Sequence, residues 1–548
     1  MLRSESGTLI LIKSFSNFDN HLESCRILHT LEYHKDRKMP PHSTAASANY
    51  DHSHTPHIKE KDSANKEVKP RLILYFSTII SLMQGFQYGW SVSQINYTPY
   101  HDEATCAAKP VVPGTCVLFP GHTQLHWTLM VNAWVLGGMF GSLGSSYPAD
   151  KLGRRRMLQM NAVVMMIGSV LQAIAQNVWL FAAGRFVAGI ASGAGTAVLG
   201  SYLSEISPPH LRGALSSCIQ VSIVTGIFIV SCTFYFAGTE LGWRINAGIP
   251  TIIGALNFLV APIYMVESPS WLLANGQVEK AHNELGRLFG RENIKTALKW
   301  IEKKDQDLES DNDVVQYDEN GQMTRRSCKS TRPYDTTKVE MSLIDVFRFY
   351  WPQLIVALGC SAAQQLSGIN AVFFYSSDIF KRAGLKDVRV GNLIVDTVNA
   401  LPTFMTGYLL SKFKKRVLLL CGIFCMFLSA IGMTVALLIN VSMLTIVFTA
   451  LYVTAFSCSL GPLVWGITAE VFPDHVRANA QSICLVVNWA CNLCVGIAYP
   501  FIAAALKDYG FVPFVGTLGF FGVFIYYTLP ETSGKTIDEI QAEFSKVK

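Results

Sequence analysis

Gln364, Gln365 and Asn370 set three neutral amides close together in an otherwise apolar stretch. Each amide both donates and accepts hydrogen bonds, as the hydroxyls of a sugar do, so the group can hold a sugar without the desolvation cost of a charge. An aromatic ring such as Trp465 offers a flat apolar face for the C–H side of a sugar ring. The same amides can instead join helix to helix, a common use of Asn and Gln inside membranes. A lone amide points to that structural use; three together point to a ligand.

Charges supply a second pattern. Glu205, Pro208, His210 and Arg212 recur in register as Glu470, Pro473, His475 and Arg477, an offset of 265. Arg154 and Lys415 follow similar glycine-bearing segments at an offset of 261, and Glu267 and Glu531 stand 264 apart. Offsets this close imply an ancestral duplication into two homologous halves. A carboxylate at one helix end facing cations of a neighbour makes charge-assisted bonds. Glu205 with Arg154, Arg155 or Arg212, and Glu470 with Lys415, Arg416 or Arg477, are the candidate pairs. They are expected to form only when the halves approach on that side, as a latch. The plainer alternative is cationic loop anchoring with incidental carboxylates.

The elements that carry these residues must lie in a membrane. Of 548 residues, 50% are hydrophobic and 15% charged, where soluble proteins carry about 25% charge. Twelve apolar stretches, each long enough to cross a bilayer as a helix, fall near 72–95, 127–147, 157–176, 179–202, 217–237, 246–266, 353–377, 391–411, 417–439, 443–466, 480–504 and 510–529. The expected fold is an all-α membrane protein of two six-helix bundles. Its parts are a disordered cytoplasmic tail (1–70), an N-terminal bundle (71–272), an intracellular helical linker (273–349), a C-terminal bundle (350–530) and a cytoplasmic C-terminal tail (531–548). The linker favours helix from Gln277 to Lys303 and turns acidic and loose from Asp305 to Glu319. Basic residues in alternate short loops place both termini in the cytoplasm, although Lys381, Arg382, Lys386 and Arg389 run against that pattern. The sequons at Asn96 and Asn440 then face outward, Asn96 close to a helix end.

Several other functions are excluded. A formal charge of +6 spread over the chain does not suit nucleic-acid binding. His52, His54 and His57 have no Cys or carboxylate cluster to complete a metal site, and no cofactor motif is present. Ser533-Gly534-Lys535-Thr536 ends like a phosphate loop, but Leu529 occupies the place of its first glycine. Gly193 and Gly195 suit close helix packing, as do Cys491 and Cys494 inside an apolar helix. Cys106 and Cys116 share a polar loop and are the two thiols placed to pair in an oxidising compartment.

Further motifs stand in order along the chain: Gly144 with Asp150, Gly153, Arg154 and Arg155; Gly184-Arg185-Phe186; Glu205 to Arg212 followed by Gly213; and Glu267-Ser268-Pro269. Then come Gln364 to Asn370, Glu470, Asn488-Trp489, and Pro530-Glu531-Thr532 with Gly534. Together they resemble the sugar porter family of the major facilitator superfamily, and most closely the facilitative hexose transporters of animals. The resemblance implies a sugar site lined by Gln220, Gln364, Gln365, Asn370, Asn399, Trp465 and Asn488, with Gln87 as a further candidate. It also implies an extracellular gate at Phe374 and Tyr375. Departures are Ser411 for an acid, Lys414 for Gly, Ser457 for Glu, Val464 for Pro, Ser270 for Arg, and Ile219 before Gln220.

Proton-coupled members of that family carry an Asp in the first span where Ser91 stands here, so the resemblance implies uniport of hexose, D-glucose above all, at the plasma membrane. Asp396, a carboxylate within the eighth span, keeps proton symport open. It is alternatively hydrated or paired with Arg389. A fructose-preferring facilitator and a non-transporting sugar sensor also fit these residues. The expected partners are a small sugar and the lipid bilayer, with no nucleic acid.

Overall fold

The computed structural model describes residues 68–100, 103–106, 108, 110–112, 116–301, 316–317, 323–324, 343–535 and 537–545. The tail as far as residue 67, with His52, His54 and His57, lies outside the described residues, as does most of the acidic stretch from Asp305 to Glu319.

Fourteen helices build the two halves of the described chain. In the first half they are α1 (Leu72–Ser93), α2 (Gln124–Gly144), α3 (Arg154–Ala173), α4 (Val178–Ile206), α5 (Arg212–Thr233) and α6 (Glu240–Tyr264). In the second they are α7 (Trp351–Leu366), α8 (Ile369–Arg382), α9 (Val388–Lys412), α10 (Lys415–Leu438), α11 (Ser442–Cys458), α12 (Leu460–Glu470), α13 (Asp474–Leu506) and α14 (Val512–Thr528). Among the described residues, eight stretches are long and apolar enough to cross a membrane, with α7–α8 and α11–α12 each counting as one. Large apolar side chains such as Phe140, Leu256, Phe424 and Phe520 are exposed, as lipid-facing surfaces require.

Local chemistry fixes where the helices begin. Thr123 caps α2 through a reciprocal pair with His126, and Asn177, Thr239 and Asp387 cap α4, α6 and α9 with side-chain oxygens. Two expected continuous spans are broken. Gly368, at φ 88°, separates α7 from α8, and a Cβ there would lie 2.5 Å from the Phe514 ring. Only glycine satisfies both the left-handed backbone and that contact. Ser459, at φ −131° and ψ −95°, separates α11 from α12 just before Gly461-Pro462.

Glycine also sets the closest helix pairings. Gly137 and Gly141 of α2 face the α4 backbone, and Gly189 and Gly193 of α4 face that of α2, so a Cβ at any of them would lie 2.0–2.1 Å from a carbonyl oxygen. Gly193 therefore packs as the sequence suggests, within a four-glycine, four-residue-spaced interface. The linker helix Val278–Phe289 buries Ala281, Leu285 and Leu288 in an apolar cluster with Leu74, Leu203 and Ala261 at the ends of α1, α4 and α6. A short antiparallel ladder pairs Gln316 with Thr324 and Tyr317 with Met323. Between the halves, α5 packs on α9, α2 on α13 and α1 on α8.

Candidate functional site

The break after α7 turns the amides toward α12 and α13. Gln364 Nε2 donates to the Leu460 and Gly461 carbonyls in the first turn of α12 (2.9 and 3.0 Å), as second donors beside the helix's own bonds. Asn488 Nδ2 donates to Gln364 Oε1 (2.7 Å) and Ser361 O (3.2 Å), while its Oδ1 accepts from Gln365 Nε2 (2.9 Å). Asn370 Nδ2 donates to Gln365 Oε1. Gln364, Gln365, Asn370 and Asn488 thus form one connected network, with each side chain at least nine-tenths buried. Trp465 lies one helical turn beyond Gly461 on α12 and is 42% exposed.

The remaining expected site residues lie outside that network. Asn399, on α9, accepts from Ser457 Oγ (2.6 Å), and its own Nδ2 is buried without a partner. Gln220 is half-buried on α5. Gln87 turns instead into the first half, donating to Pro250 O at 2.7 Å, so it acts as a tie between α1 and α6.

Phe374 and Tyr375 are both buried on α8, edge to face with centroids 6.2 Å apart. The Tyr375 hydroxyl donates to Gly496 O at 3.0 Å. Pro500, four residues on in α13, lacks the N–H that would otherwise take that carbonyl. The same device recurs in α6: Pro250 frees Asn246 O, which accepts from Trp90 Nε1 at 3.3 Å. Tyr88, Trp134 and Trp489 make an aromatic cluster across the halves, and the Trp489 ring packs directly on Gly138.

The charged candidates divide. Arg154 reaches Glu205 through Nε (3.2 Å) and Nη2 (3.3 Å), and Asp150 through Nη1 (2.9 Å). Glu205 also accepts from Ser268 Oγ. Arg155 is directed elsewhere, its N–H to Glu267 Oε1 (3.0 Å) and its Nη1 to Met265 O (3.4 Å). Burial pushes the Glu267 carboxyl up, against the pull of the Arg155 and Ser268 N–H groups. Arg212 lines a small cleft with Glu205 beside the linker helices. In the second half Lys415 pairs with Glu470, whereas Arg416 donates to Tyr526 O and Arg477 to Phe472 O. Both ion pairs lie inside a single half, α3 to α4 and α10 to α12. In this arrangement they brace each half internally and make no bond from one half to the other.

The bonds that do join the halves involve residues outside the expected site. Asn96 Nδ2 donates to Ser376 Oγ (2.7 Å), and its Oδ1 accepts from Ser377 N (3.2 Å). The Asn96 carbonyl accepts from Ser377 Oγ (2.9 Å) and Asn392 Nδ2 (3.1 Å). Asn96 is 5% exposed, so its sequon is closed to a glycan in this arrangement. Ser231 Oγ of α5 donates to Asp396 Oδ2 of α9, while Arg389 binds Asp387 rather than Asp396. A signal existed in the sequence: Asn392, Asp396, Asn399, Thr403 and Thr406 form a helical-period polar stripe on α9, all buried. In the first half Arg185 donates to Ser91 O at 2.7 Å.

Cys106 and Cys116 form a disulfide. His122 lies near both sulfurs, and the three make the one grouping of metal-capable side chains among the described residues; the sulfurs, bonded to each other, cannot serve as thiolate ligands.

A buried network of neutral amides inside a membrane-embedded helix bundle suits the handling of a small polar solute. The sequence profile of the family described as "Sugar (and other) transporter" matches residues 77–544. The chain belongs to that family and is a multi-pass membrane protein. It is 30% identical to facilitated glucose transporter member 2 of solute carrier family 2 from Gallus gallus, over 89% of this chain and 96% of that one. It is 31% identical to member 3 from Canis lupus familiaris, over 87% of this chain and 93% of the relative. Among solved structures it is similar to the inward-open xylose transporter XylE from E. coli, with a TM-score of 0.68, 21% identity, and coverage of 86% and 99%.

Proposed function

We propose that the chain is a twelve-span facilitator of two six-helix bundles that carries a hexose, D-glucose above all, by alternating access. In this reading the bundles span 71–272 and 350–530, joined by an intracellular linker at 273–349, and the tails at 1–70 and 531–548 are cytoplasmic. The plasma membrane is its location. The observation that carries the proposal is the connected set Gln364, Gln365, Asn370 and Asn488, with Trp465 one helical turn from the Gly461 carbonyl that Gln364 binds. These amides exchange their mutual bonds for sugar hydroxyls, and Gln220 and Asn399 complete the site from α5 and α9. The Asn96 seal then lies on the outer side, with Phe374 and Tyr375 beneath it, and the arrangement is inward-facing.

Uniport is favoured by Ser91, whose side chain is neutral and whose backbone carbonyl accepts from Arg185. The relatives named as facilitated glucose transporters support the same reading. Symport through Asp396 is the second reading, favoured by that residue's burial without an ion pair. Labelled glucose and fructose uptake in proteoliposomes, with and without a pH gradient, tests both. Flux that equilibrates and never exceeds the outside concentration establishes a uniporter, and gradient-driven accumulation establishes symport.

A further inference from the structure

We propose that Asp396 is a proton-binding site that clasps the two halves on the outer side, so that external protons hold that side shut without travelling with the sugar. The inference rests on the alternating-access reading above.

Asp396 is 5% exposed, and its carboxylate meets the Ser231 hydroxyl from the opposite half. No Lys or Arg among the described residues forms an ion pair with it. Arg389, the cation on the same helix, is committed to Asp387 (2.9 Å) and lies over the Tyr235 ring at 4.9 Å. The packed neighbours supply no counter-charge. From α5, Cys232 adjoins the carboxyl as a neutral thiol. From α8, the Tyr375 hydroxyl is bound to Gly496 O and Arg382 to Ala503 O (2.8 Å), while Asp378 and Lys381 lie further toward the helix end. From α11, the Tyr452 hydroxyl is bound to Ser367 O, and Cys458 is a free thiol.

An ionised carboxylate held this way inside a membrane, with one hydroxyl for company, is costly, and a bound proton removes the cost. Opening the outer side requires α5 and α9 to part, which returns Asp396 to water and lets it ionise. The proton therefore leaves outward on opening and is taken up from outside on closing. Asp396 sits alongside the Asn96 seal, four residues from Asn392, and is buried while that seal is shut. The proton has no exit to the inside and is returned to the side it came from, which separates this site from symport. Linkage fixes the sign: acidification outside favours the closed outer side, by at most about tenfold per pH unit.

Glucose influx into proteoliposomes tests this when external and internal pH are varied separately and internal pH is followed with a dye. Influx is expected to fall severalfold as the outside is acidified, with no matching effect of internal pH and no sugar-dependent proton movement. Asp396→Asn, which mimics the protonated form, is expected to lose the external pH response, and Asp396→Glu to keep it. A pH response in Asp396→Asn equal to wild type would overturn the proposal. So would a sugar-dependent proton flux that Asp396→Asn abolishes. If no preparation moves sugar, the transport reading fails, and the clasp is judged by hydrogen exchange in nanodiscs. Protection at the outer ends of α1 and α8 should then differ between wild type and Asp396→Asn at neutral pH and converge in acid; identical protection at every pH would sink the clasp.

Discussion

Single polar side chains decide how this interior works, and their value depends on what each one leaves unpaired. Asn488 touches three groups, Gln364 Oε1, Ser361 O and Gln365 Nε2. Asn488→Leu removes three hydrogen bonds from the network, at about 0.5–1.5 kcal/mol each, and leaves Gln364 and Gln365 bonded to each other. We expect a lower melting temperature in detergent together with loss of glucose binding by calorimetry; a destabilised protein that still binds sugar would reduce the network to helix glue. Tyr375 offers a cleaner dissection, because its hydroxyl serves the carbonyl that Pro500 leaves open. Tyr375→Phe should cost about 1–3 kcal/mol. Adding Pro500→Ala, which restores an N–H four residues from Gly496, should recover part of that loss in a double-mutant cycle on thermal stability. An additive cycle would mean that the hydroxyl does not serve that carbonyl. The amides themselves were legible in the sequence, because polar groups are rare in apolar spans. Their pairings were not: Gln87 and Gln364 look alike along the chain and each turns to carbonyls of its own half, but only Gln364 also joins other amides, accepting from Asn488.

At the scale of elements, hydropathy located the helices well and their interruptions poorly. An apolar run reads the same whether or not it bends, so the spans at 353–377 and 443–466 looked continuous. The break between α7 and α8 depends on a positive φ and on a ring from α14, one local fact and one that comes from elsewhere in the fold. Gly368→Ala must accept a left-handed backbone and displace Phe514. The backbone alone costs about 1–2 kcal/mol, and the displaced ring adds to it. We expect a clear fall in thermal stability and weaker sugar binding, since the turn aims Gln364 and Gln365 on one side and Asn370 on the other. Phe514→Ala in the same background should return part of the stability by making room for the methyl. Failure of that rescue would show that backbone strain, rather than the contact, sets the cost.

For the whole molecule, the duplication was visible in the charges, but what the charges do was not, since register along a chain says nothing of which half a partner belongs to. Arg154–Glu205 and Lys415–Glu470 each close within one half, and the bonds across the halves are made instead by the neutral side chains around Asn96 and by the Ser231–Asp396 contact. These two sets predict different behaviour. Asn96→Ala removes both side-chain bonds to Ser376 and Ser377, worth about 0.5–1.5 kcal/mol each. The balance should move toward the state open on that side by about 5- to 150-fold. Glu205→Gln loosens α3 against α4 and should lower stability while leaving that balance nearly unchanged. Spin-label distances across the outer ends of the two halves separate the cases. Asn96→Ala should populate a longer distance and Glu205→Gln should not. If Glu205→Gln lengthens it as much, the charges around Glu205 reach across the halves after all, and the neutral seal is secondary to them.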